Sequence, residues 1–229
     1  MISAIVLSGG VGSRVGGNTK KQYIEILGKP VLAWALLAFE KSLVDEIVLV
    51  AGEEDIDYCK KEIIEKYKIT KVAAVVAGGG ERMYSVFNGL KAVHGEYVLI
   101  HDGARPCITS EKINEAIAFL KEKGNCVVGM PVTDTISVTD ENGVIALSPE
   151  RRLTWAAQTP QCFKRDEILP AYEKAVEQKD NNVTDDAGVL RKYSSSKVYM
   201  IPGTAGNMKL TRPQDVSLIE RILKEEYNA

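Results

Sequence analysis

The chain has 229 residues, 45% hydrophobic and 26% charged, which suffices for one large domain over residues 1–229 but not for two. Its 29 Lys and Arg residues nearly balance 31 Asp and Glu residues without forming a basic block, so we expect no nucleic-acid partner. The longest apolar run, residues 31–39, is far too short to cross a bilayer, so we expect no membrane contact.

The cysteine and histidine content argues against several kinds of site. The cysteines lack the paired spacing of metal or redox motifs, which is typical of reduced thiols in a cytoplasmic protein; they are Cys59, Cys107, Cys126 and Cys162. With only His94 and His101, neither a histidine-rich metal site nor a Cys-His nucleophile is supported. The first residues lack the charged start and long apolar core of a secretory signal, so we expect none.

Along the chain, apolar runs alternate with segments of helical period. The predicted strands cover residues 2–7, 46–51, 71–77, 96–101, 125–130 and 197–201. The predicted helices cover residues 30–41, 54–67, 81–93, 110–123, 165–178 and 212–226. This alternation predicts an α/β fold with a doubly wound, mostly parallel sheet of the Rossmann-like type.

The alternation is broken at about residues 132–158. There, residues 135–138 and 144–147 flank the polar segment 140–143, a pattern that predicts a β-hairpin arm. A projecting arm leaves apolar surface that a second subunit could cover, so we expect a homodimer. The alternative is a hairpin that folds back on its own domain.

The first predicted strand leads into a glycine-rich segment, residues 8–14. Glycines let a backbone approach a ligand closely, and Arg14 and Lys21 supply the positive charge that a polyphosphate needs. Two better-known phosphate loops do not fit. Val15 stands where the dinucleotide fingerprint needs its third glycine, and Asn18-Thr19 replaces the Lys-Ser/Thr of the nucleotide-hydrolase loop. For this segment alone, an ordinary strand-to-helix turn is the alternative.

Two later strands also end in glycine-containing loops, residues 78–85 and 101–106. Because parallel sheets bind ligands beyond the carboxyl ends of their strands, we expect these loops to meet the first one. Each has an alternative explanation, such as a flexible turn, a solvated Arg82, or an ion pair between Asp102 and Arg105. Their joint placement favours a ligand site, since folding alone has no need to collect glycines, cations and a carboxylate at one edge.

A series of motifs extends over nearly the whole chain. In order, they are Ser-Gly-Gly-x-Gly-x-Arg with Lys-Gln-Tyr, Gly-Gly-x-x-Arg-x-x-Ser-Val-x-Asn-Gly-Leu, His-Asp-x-Ala-Arg-Pro, Asp-Thr-Ile, Gln-Thr-Pro-Gln-x-Phe, Thr-Asp-Asp-Ala and Asn-x-Lys-Leu-Thr. In this order they resemble the methylerythritol phosphate cytidylyltransferases. The resemblance implies a nucleotidyltransferase fold and transfer of a cytidylyl group from CTP to 2-C-methyl-D-erythritol 4-phosphate. It also implies release of pyrophosphate, help from Mg²⁺, and a place in non-mevalonate isoprenoid biosynthesis.

The resemblance also implies roles for individual residues. The expected catalytic cations are Arg14, Lys21 and Lys209. The expected nucleotide-binding residues are Ser8, Gly9, Gly10, Gly12, Gly79, Gly80, Ser85, Asp102, Gly103 and Arg105, with Asp102 also the candidate metal ligand. The expected polyol-phosphate residues are Thr184, Asp185 and Arg151, the last from the arm of the partner subunit. An incoming phosphate is already a nucleophile near neutral pH, so alignment and electrostatic stabilisation suffice without a catalytic histidine.

Several positions depart from the usual family pattern. Thr19-Lys20 stands where a proline commonly precedes the loop lysine, Gly103 replaces an alanine, and Gly80 and Gly206 stand where acidic residues often occur. Fewer carboxylates could leave Asp102 with more of the metal contact, or leave the metal held chiefly by substrate.

Three alternative functions stay open at this point. The first is a ribitol 5-phosphate cytidylyltransferase of the same fold. The second, from another class, is a non-catalytic nucleotide-binding regulator, against which the full set of cations argues. A nicotinamide-dependent oxidoreductase is the weakest, because the dinucleotide fingerprint fails.

Overall fold

The computed structural model describes residues 1–10, 20–180 and 182–227. Its strands are β1 (Ile2–Leu7), β2 (Glu25–Ile26), β3 (Lys29–Pro30), β4 (Glu46–Ala51), β5 (Val72–Ala77), β6 (Tyr97–Asp102), β7 (Cys126–Pro131), β8 (Val138–Thr139), β9 (Ile145–Leu147), β10 (Trp155–Lys164) and β11 (Tyr199–Pro202). Its α-helices are α1 (Val31–Glu40), α2 (Ile56–Tyr58), α3 (Arg82–Ala92), α4 (Ser110–Lys123), α5 (Arg165–Glu177), α6 (Asp186–Tyr193) and α7 (Asp215–Tyr227). Short 3₁₀ turns occupy Lys21–Tyr23, Glu53–Asp55 and Arg151–Leu153.

Seven strands form the central sheet in the order β11-β7-β10-β6-β1-β4-β5. Neighbouring strands are parallel, except that β10 runs antiparallel to both β6 and β7. The predicted doubly wound, mostly parallel α/β fold is therefore confirmed. The carboxyl ends of β1, β5 and β6 lie at one edge of the sheet, which is where the glycine-containing loops begin.

β10 is a central strand that the sequence pattern did not predict. It contains Pro160, which has no amide N–H to donate, and its register with β7 shifts between Ala157 and Gln161. Residues 159–163 are all buried, so polar and apolar side chains do not alternate as they do in a half-buried strand. Because of both features, the sequence lacks the alternating pattern from which a strand is normally predicted.

Helices cover both faces of the sheet. On one face, α1 and α4 contribute Leu36, Phe39 and Ile117 to an apolar cluster with β1, β4 and the π-helical stretch Cys59–Glu65 that continues α2. On the other face, α3, α5 and α6 form a second cluster, which includes Leu90 and Tyr172. β4 is buried along its whole length, as expected for a parallel strand covered on both sides.

Two helical segments differ from the sequence-based prediction. The segment 54–67 is a 3₁₀ turn, one α-helical turn and a π-helical stretch in succession, rather than a uniform α-helix. The helix α6 was not predicted because its 8 residues are too few for a clear period. Among the described residues, we find no helix whose length and apolar content would let it span a membrane.

The predicted hairpin is present as the short antiparallel pair β8 and β9. Its turn places Gly143 at φ 83°, a left-handed conformation that favours glycine. Apolar side chains on the arm face solvent in the single chain: Val144 is 62% exposed, Ile145 63%, Leu147 58% and Leu153 64%. The hairpin therefore does not bury these side chains on its own chain.

Candidate active site

A cavity of about 250 Å³ opens where the loops after β1, β5, β6 and β11 meet. Its lining residues are Leu7, Gly9, Gly10, Lys21, Gly79, Gly80, Glu81, Arg82, Ser85, Asp102, Ala104 and Lys209. The cavity thus brings together eight of the residues assigned from sequence, namely Gly9, Gly10, Lys21, Gly79, Gly80, Ser85, Asp102 and Lys209. Parallel strands that end at one edge account for this convergence of distant segments.

The loop after β1 is anchored by β4 and by one buried side chain. The Ser8 amide donates to a carbonyl of β4, and Nε2 of Gln22 donates to the carbonyls of Ser8 (2.7 Å) and Gly10 (3.2 Å). Gln22 is only 2% exposed, so water competes little for these bonds. Lys21 precedes Gln22 on the same 3₁₀ turn and lines the cavity.

The loop after β5 is closed by Ser85 from the first turns of α3. The Gly79 amide donates to Oγ of Ser85 (3.0 Å), and this hydroxyl lies 3.1 Å from the Glu81 carbonyl. A Cβ atom added to Gly79 would lie 2.3 Å from Cβ of Tyr84, so the tight turn excludes any larger residue. A Cβ atom added to Gly80 meets no atom within 4 Å, so a side chain at this position would meet open space.

A row of alternating charges runs from the cavity into the fold. Nζ of Lys209 lies 2.7 Å from Oδ2 of Asp102, and Nε of Arg82 lies 3.6 Å from Oδ1 of the same carboxylate. The Arg82 guanidinium also donates two hydrogen bonds, of 2.7 and 2.8 Å, to Asp186. Asp186 is fully buried and accepts a third hydrogen bond, of 2.5 Å, from the Tyr172 hydroxyl. This row connects the carboxyl end of β6 with α3, α5 and α6.

The electrostatics of the row keep Asp102 ionised. Burial alone would raise its pKa, but the positive charges of Arg82 and Lys209 hold it well below the usual value. The ion pair between Asp102 and Arg105 considered from sequence is not the pairing observed. Arg105 instead donates to the Asn207 carbonyl (2.8 Å) and thereby fastens the loop that carries Lys209.

His101 at the end of β6 is a structural residue. It is fully buried, and burial lowers its pKa to about 4, with Asp102 opposing this effect. Its ring contacts the Thr159 hydroxyl (3.0 Å) and the Arg105 carbonyl (3.3 Å). The imidazole is therefore neutral near neutral pH and acts in packing and hydrogen bonding.

Three assigned nucleotide-binding residues, Ser8, Gly103 and Arg105, are not among those that line the cavity. Ser8 is buried under the first loop, where its hydroxyl lies 3.5 Å from that of Tyr23. A Cβ atom on Gly103 would lie 2.7 Å from Leu32 and 2.9 Å from the Leu7 carbonyl, so close packing alone explains this glycine. The assigned residues Gly12 and Arg14 fall outside the part of the chain that the structure describes.

The residues assigned to the polyol phosphate are not on the wall of this cavity. Arg151 lies on an exposed 3₁₀ turn at the base of the arm, with Nη1 3.5 Å from the Thr133 carbonyl. Thr184 is exposed, and the Asp185 carboxylate caps α6 by accepting from the Gly188 amide (2.8 Å). Within one chain, the cavity and Arg151 are separate features.

The sequence did not predict the contacts among Arg82, Asp186 and Tyr172 in the charge row. Arg82 and Asp186 stand inside recognised motifs, but their pairing joins positions 104 residues apart and has no local signal. Tyr172 lies outside every motif and was identified only as part of a helix. A buried tyrosine that donates to a buried carboxylate becomes visible only in three dimensions.

The cavity offers limited means of holding a metal ion. Among the described residues, no group of three or more His, Cys, Asp or Glu side chains is arranged to bind one. Asp102 does place one ionised carboxylate on the cavity wall. This donor set fits Mg²⁺, which commonly binds through one or two carboxylates together with substrate phosphates and waters. It does not fit a metal site built from protein ligands alone.

Comparison with known protein families gives a match over almost the whole chain. The model of the 2-C-methyl-D-erythritol 4-phosphate cytidylyltransferase family matches residues 2–225. A protein of that name from Lachnoclostridium phytofermentans is 40% identical over 99% of this chain and 98% of its own length. Another, from Alkaliphilus oremlandii, is 43% identical over 97% of this chain and 94% of its own length.

Solved structures give the same result. The crystal structure of 4-diphosphocytidyl-2C-methyl-D-erythritol synthase from Anaerococcus prevotii superposes with a TM-score of 0.84 at 32% identity, covering 97% of this chain and 96% of its own. The 2-C-methyl-D-erythritol 4-phosphate cytidylyltransferase from Thermus thermophilus shares the fold, with a TM-score of 0.76 at 23% identity over 96% of this chain and 98% of its own.

Proposed function

Because the chain belongs to the 2-C-methyl-D-erythritol 4-phosphate cytidylyltransferase family, we propose that it transfers the cytidylyl group of CTP to 2-C-methyl-D-erythritol 4-phosphate. Pyrophosphate is the second product, and the reaction belongs to non-mevalonate isoprenoid biosynthesis. The observation that carries the proposal is the presence of Lys21, Lys209 and Asp102 on one cavity between two glycine-rich loops.

In the proposed reaction, an oxygen of the substrate's phosphate attacks the α-phosphorus of CTP. A new P–O bond forms there, and the bond from the α-phosphorus to the bridging oxygen breaks, so that pyrophosphate leaves with the electron pair. A phosphate monoester has its second pKa at about 6 and is largely dianionic at neutral pH, so no general base is required. The chemical task of the protein is alignment and stabilisation of the negative charge that develops.

Lys21 and Lys209 supply that stabilisation in our proposal, with Arg14 as a third cation. Fixed ammonium groups act more strongly in a site that excludes water, because their orientation costs nothing when the charge develops. When bound, Mg²⁺ would neutralise charge on the phosphate oxygens, and Asp102 would hold it. The low pKa of Asp102 supports this role, because the carboxylate is ionised without a ligand.

The glycine-rich loops bind the nucleotide in the same proposal. Gly9 and Gly10 bring backbone close to the triphosphate, while Gly79, Gly80 and Ser85 hold the base. Gly80 lines the cavity, and an added Cβ atom there would meet open space, which supports this assignment. The assigned Gly103 and Arg105 would act from beneath, by packing and by fastening the Lys209 loop.

The polyol-phosphate site requires a second subunit in our proposal. Solvent-exposed apolar side chains on the arm support a homodimer, since contiguous apolar surface marks contact sites. Arg151 lies at the base of that arm and would bind the acceptor phosphate on the partner subunit, with Thr184 and Asp185 close by. The four cysteines, all free and buried, support a cytoplasmic location.

A pyrophosphate-release assay with CTP and a panel of sugar and polyol phosphates tests the proposal. We expect release with 2-C-methyl-D-erythritol 4-phosphate and much less with ribitol 5-phosphate. Release with ribitol 5-phosphate alone would contradict the substrate assignment. Binding of CTP without turnover on any acceptor would instead favour a regulatory nucleotide-binding protein.

A further inference from the structure

Lys20, the residue before Lys21, is held by two carboxylates from another part of the chain. Its Nζ lies 2.5 Å from Oε1 of Glu54 and 2.6 Å from Oδ2 of Asp55. Both acids belong to the 3₁₀ turn Glu53–Asp55, which follows β4. The Asp55 side chain is 14% exposed and that of Lys20 is 25% exposed, so this contact is partly shielded from solvent.

These ion pairs lie close to the loop that follows β1. A Cβ atom placed on Gly52 would lie 3.0 Å from Oδ2 of Asp55 and 3.2 Å from either carboxylate oxygen of Glu54, so both acids fold back over Gly52. Gly52 is in turn adjacent to Gly9, whose added Cβ would lie 3.8 Å from the Gly52 nitrogen. The Lys20 contact therefore connects the chain before Lys21 to the sheet edge beside the first loop.

Lys21 is consequently flanked by two anchored neighbours. On its other side, Gln22 donates to the carbonyls of Ser8 and Gly10. Within the turn, the Tyr23 amide donates to the Lys20 carbonyl (2.9 Å). A lysine side chain is long and flexible, so the position of its ammonium group depends on how firmly the backbone beneath it is held.

We propose that Lys20 is a positioning residue for Lys21, because its ion pairs with Glu54 and Asp55 hold the backbone that presents Lys21 to the cavity. The inference rests on the proposed function, in which Lys21 stabilises charge in the transition state. Lys20 itself is not among the residues that line the cavity, and two carboxylates surround its ammonium group. Its effect on the reaction therefore passes through Lys21.

The test is a double-mutant cycle read by steady-state pyrophosphate release. Lys20→Met keeps the length of the side chain and removes its charge. Partly exposed ion pairs are weak, so we expect kcat to fall only about fivefold with an unchanged KM for CTP. In a Lys21→Ala background, the same Lys20→Met change is expected to have no further effect, because the group that it positions is gone.

A rescue variant separates backbone position from charge. Lys20 has φ −60° and ψ 137°, which proline adopts without strain, because its ring fixes φ near −65°. Lys20→Pro lacks the ammonium group but restricts the backbone, so we expect it to recover most of the wild-type kcat. The matched control is Lys192→Met, which removes a lysine 2.6 Å from Asp180 on another part of the surface and is expected to leave kcat unchanged.

Hydrogen exchange at the Tyr23 amide gives a readout that does not depend on catalysis. We expect faster exchange in Lys20→Met and near wild-type exchange in Lys20→Pro. The inference would be overturned if Lys20→Met lowered kcat equally in the wild-type and Lys21→Ala backgrounds. It would also be overturned if the kcat of Lys20→Pro were as low as that of Lys20→Met. A wild-type protein that releases no pyrophosphate would contradict the proposed function instead, while unchanged Tyr23 exchange in Lys20→Met would contradict the positioning role alone.

Discussion

Asp102 lies between two cations, Arg82 and Lys209, and Arg82 is shared with Asp186. These four charges cancel, so the row as a whole brings no net positive charge to a triphosphate. Its role is orientation, because each charged group is fixed by a neighbour of opposite sign. In our proposal, the row therefore fixes Asp102 and Lys209 on the cavity wall.

Replacing Lys209 tests whether its ammonium group acts on the reacting phosphate. We expect Lys209→Ala to lower kcat roughly 10²–10³-fold, the usual cost of removing one group that stabilises transition-state charge. The melting temperature should change little, because Asp102 keeps Arg82 as a charged neighbour. Lys224→Ala, which removes the 2.7 Å ion pair with Glu220 on α7, is the control. A fall in kcat of less than tenfold would remove Lys209 from the mechanism.

Asp186 is the structural end of the charge row. Asp186→Asn keeps the shape of the side chain but leaves the Arg82 guanidinium with only its longer contact to Asp102, so we expect the free energy of unfolding to fall by about 2–3 kcal/mol. Tyr172→Phe, which removes one donor while Arg82 stays paired, should cost about 1 kcal/mol. Chemical denaturation of the three proteins measures both values. Equal losses for the two variants would show that the Arg82–Asp186 charge pair contributes no more stability than the Tyr172 hydrogen bond.

At the scale of elements, the turn from β5 into α3 distinguishes two adjacent glycines. A methyl group on Gly79 would overlap Tyr84, whereas one on Gly80 meets open space. We expect Gly79→Ala to lower the free energy of unfolding by about 1–3 kcal/mol, as overpacking does, and Gly80→Ala to change it by less than about 0.5 kcal/mol. Thermal or chemical unfolding of both variants makes the comparison, and equal stabilities would contradict the packing argument.

The elements also show what sequence can predict here. β1 and β4 are mostly apolar runs, and α4 has an amphipathic period with a Thr109 cap, so local patterns identify them. β10 was not predicted because a proline and a register shift interrupt its pattern. The helix α6 was not predicted because it is too short to show a clear period. The cavity was predictable for a different reason. Glycines and charges at the ends of parallel strands must meet, whereas the Arg82–Asp186 contact depends on how α6 packs.

At the scale of the whole molecule, His101 makes stability depend on pH. Burial lowers its folded pKa to about 4 from the ordinary 6.5, so below pH 6.5 the unfolded chain binds a proton that the folded protein does not. The free energy of unfolding should therefore fall by about 3 kcal/mol as the pH is lowered from 6.5 to 4. Denaturant titrations of His101→Gln at several pH values in this range should show a smaller fall in the free energy of unfolding than those of the wild type.

The control for that slope is Lys121→Gln, because it removes an exposed charge on α4 and leaves both histidines in place. Its wild-type-like pH dependence would assign the effect to the buried imidazole. An unchanged slope in His101→Gln would contradict the assignment. Carboxylates with a lowered pKa, such as Glu46, affect stability at more acid pH, where their stabilisation is lost as they bind protons. Burial opposes the lowering of the Glu46 pKa, and hydrogen bonds from Ser3 and His94 produce it.

Subunit complementation tests whether the molecule works as a pair. Alone, Arg151→Ala and Lys21→Ala subunits should each be nearly inactive. In a hybrid dimer, the intact Lys21 cavity of one subunit would meet the intact Arg151 of the other, which restores one of the two sites. Random mixing makes about half of the dimers hybrid, so refolding the variants together should recover about one quarter of the wild-type activity. Mixing two different variants of Lys21 recovers nothing on this argument and serves as the control. Recovery no greater than that control would mean that each chain completes its own site, and the exposed apolar arm would then need another explanation.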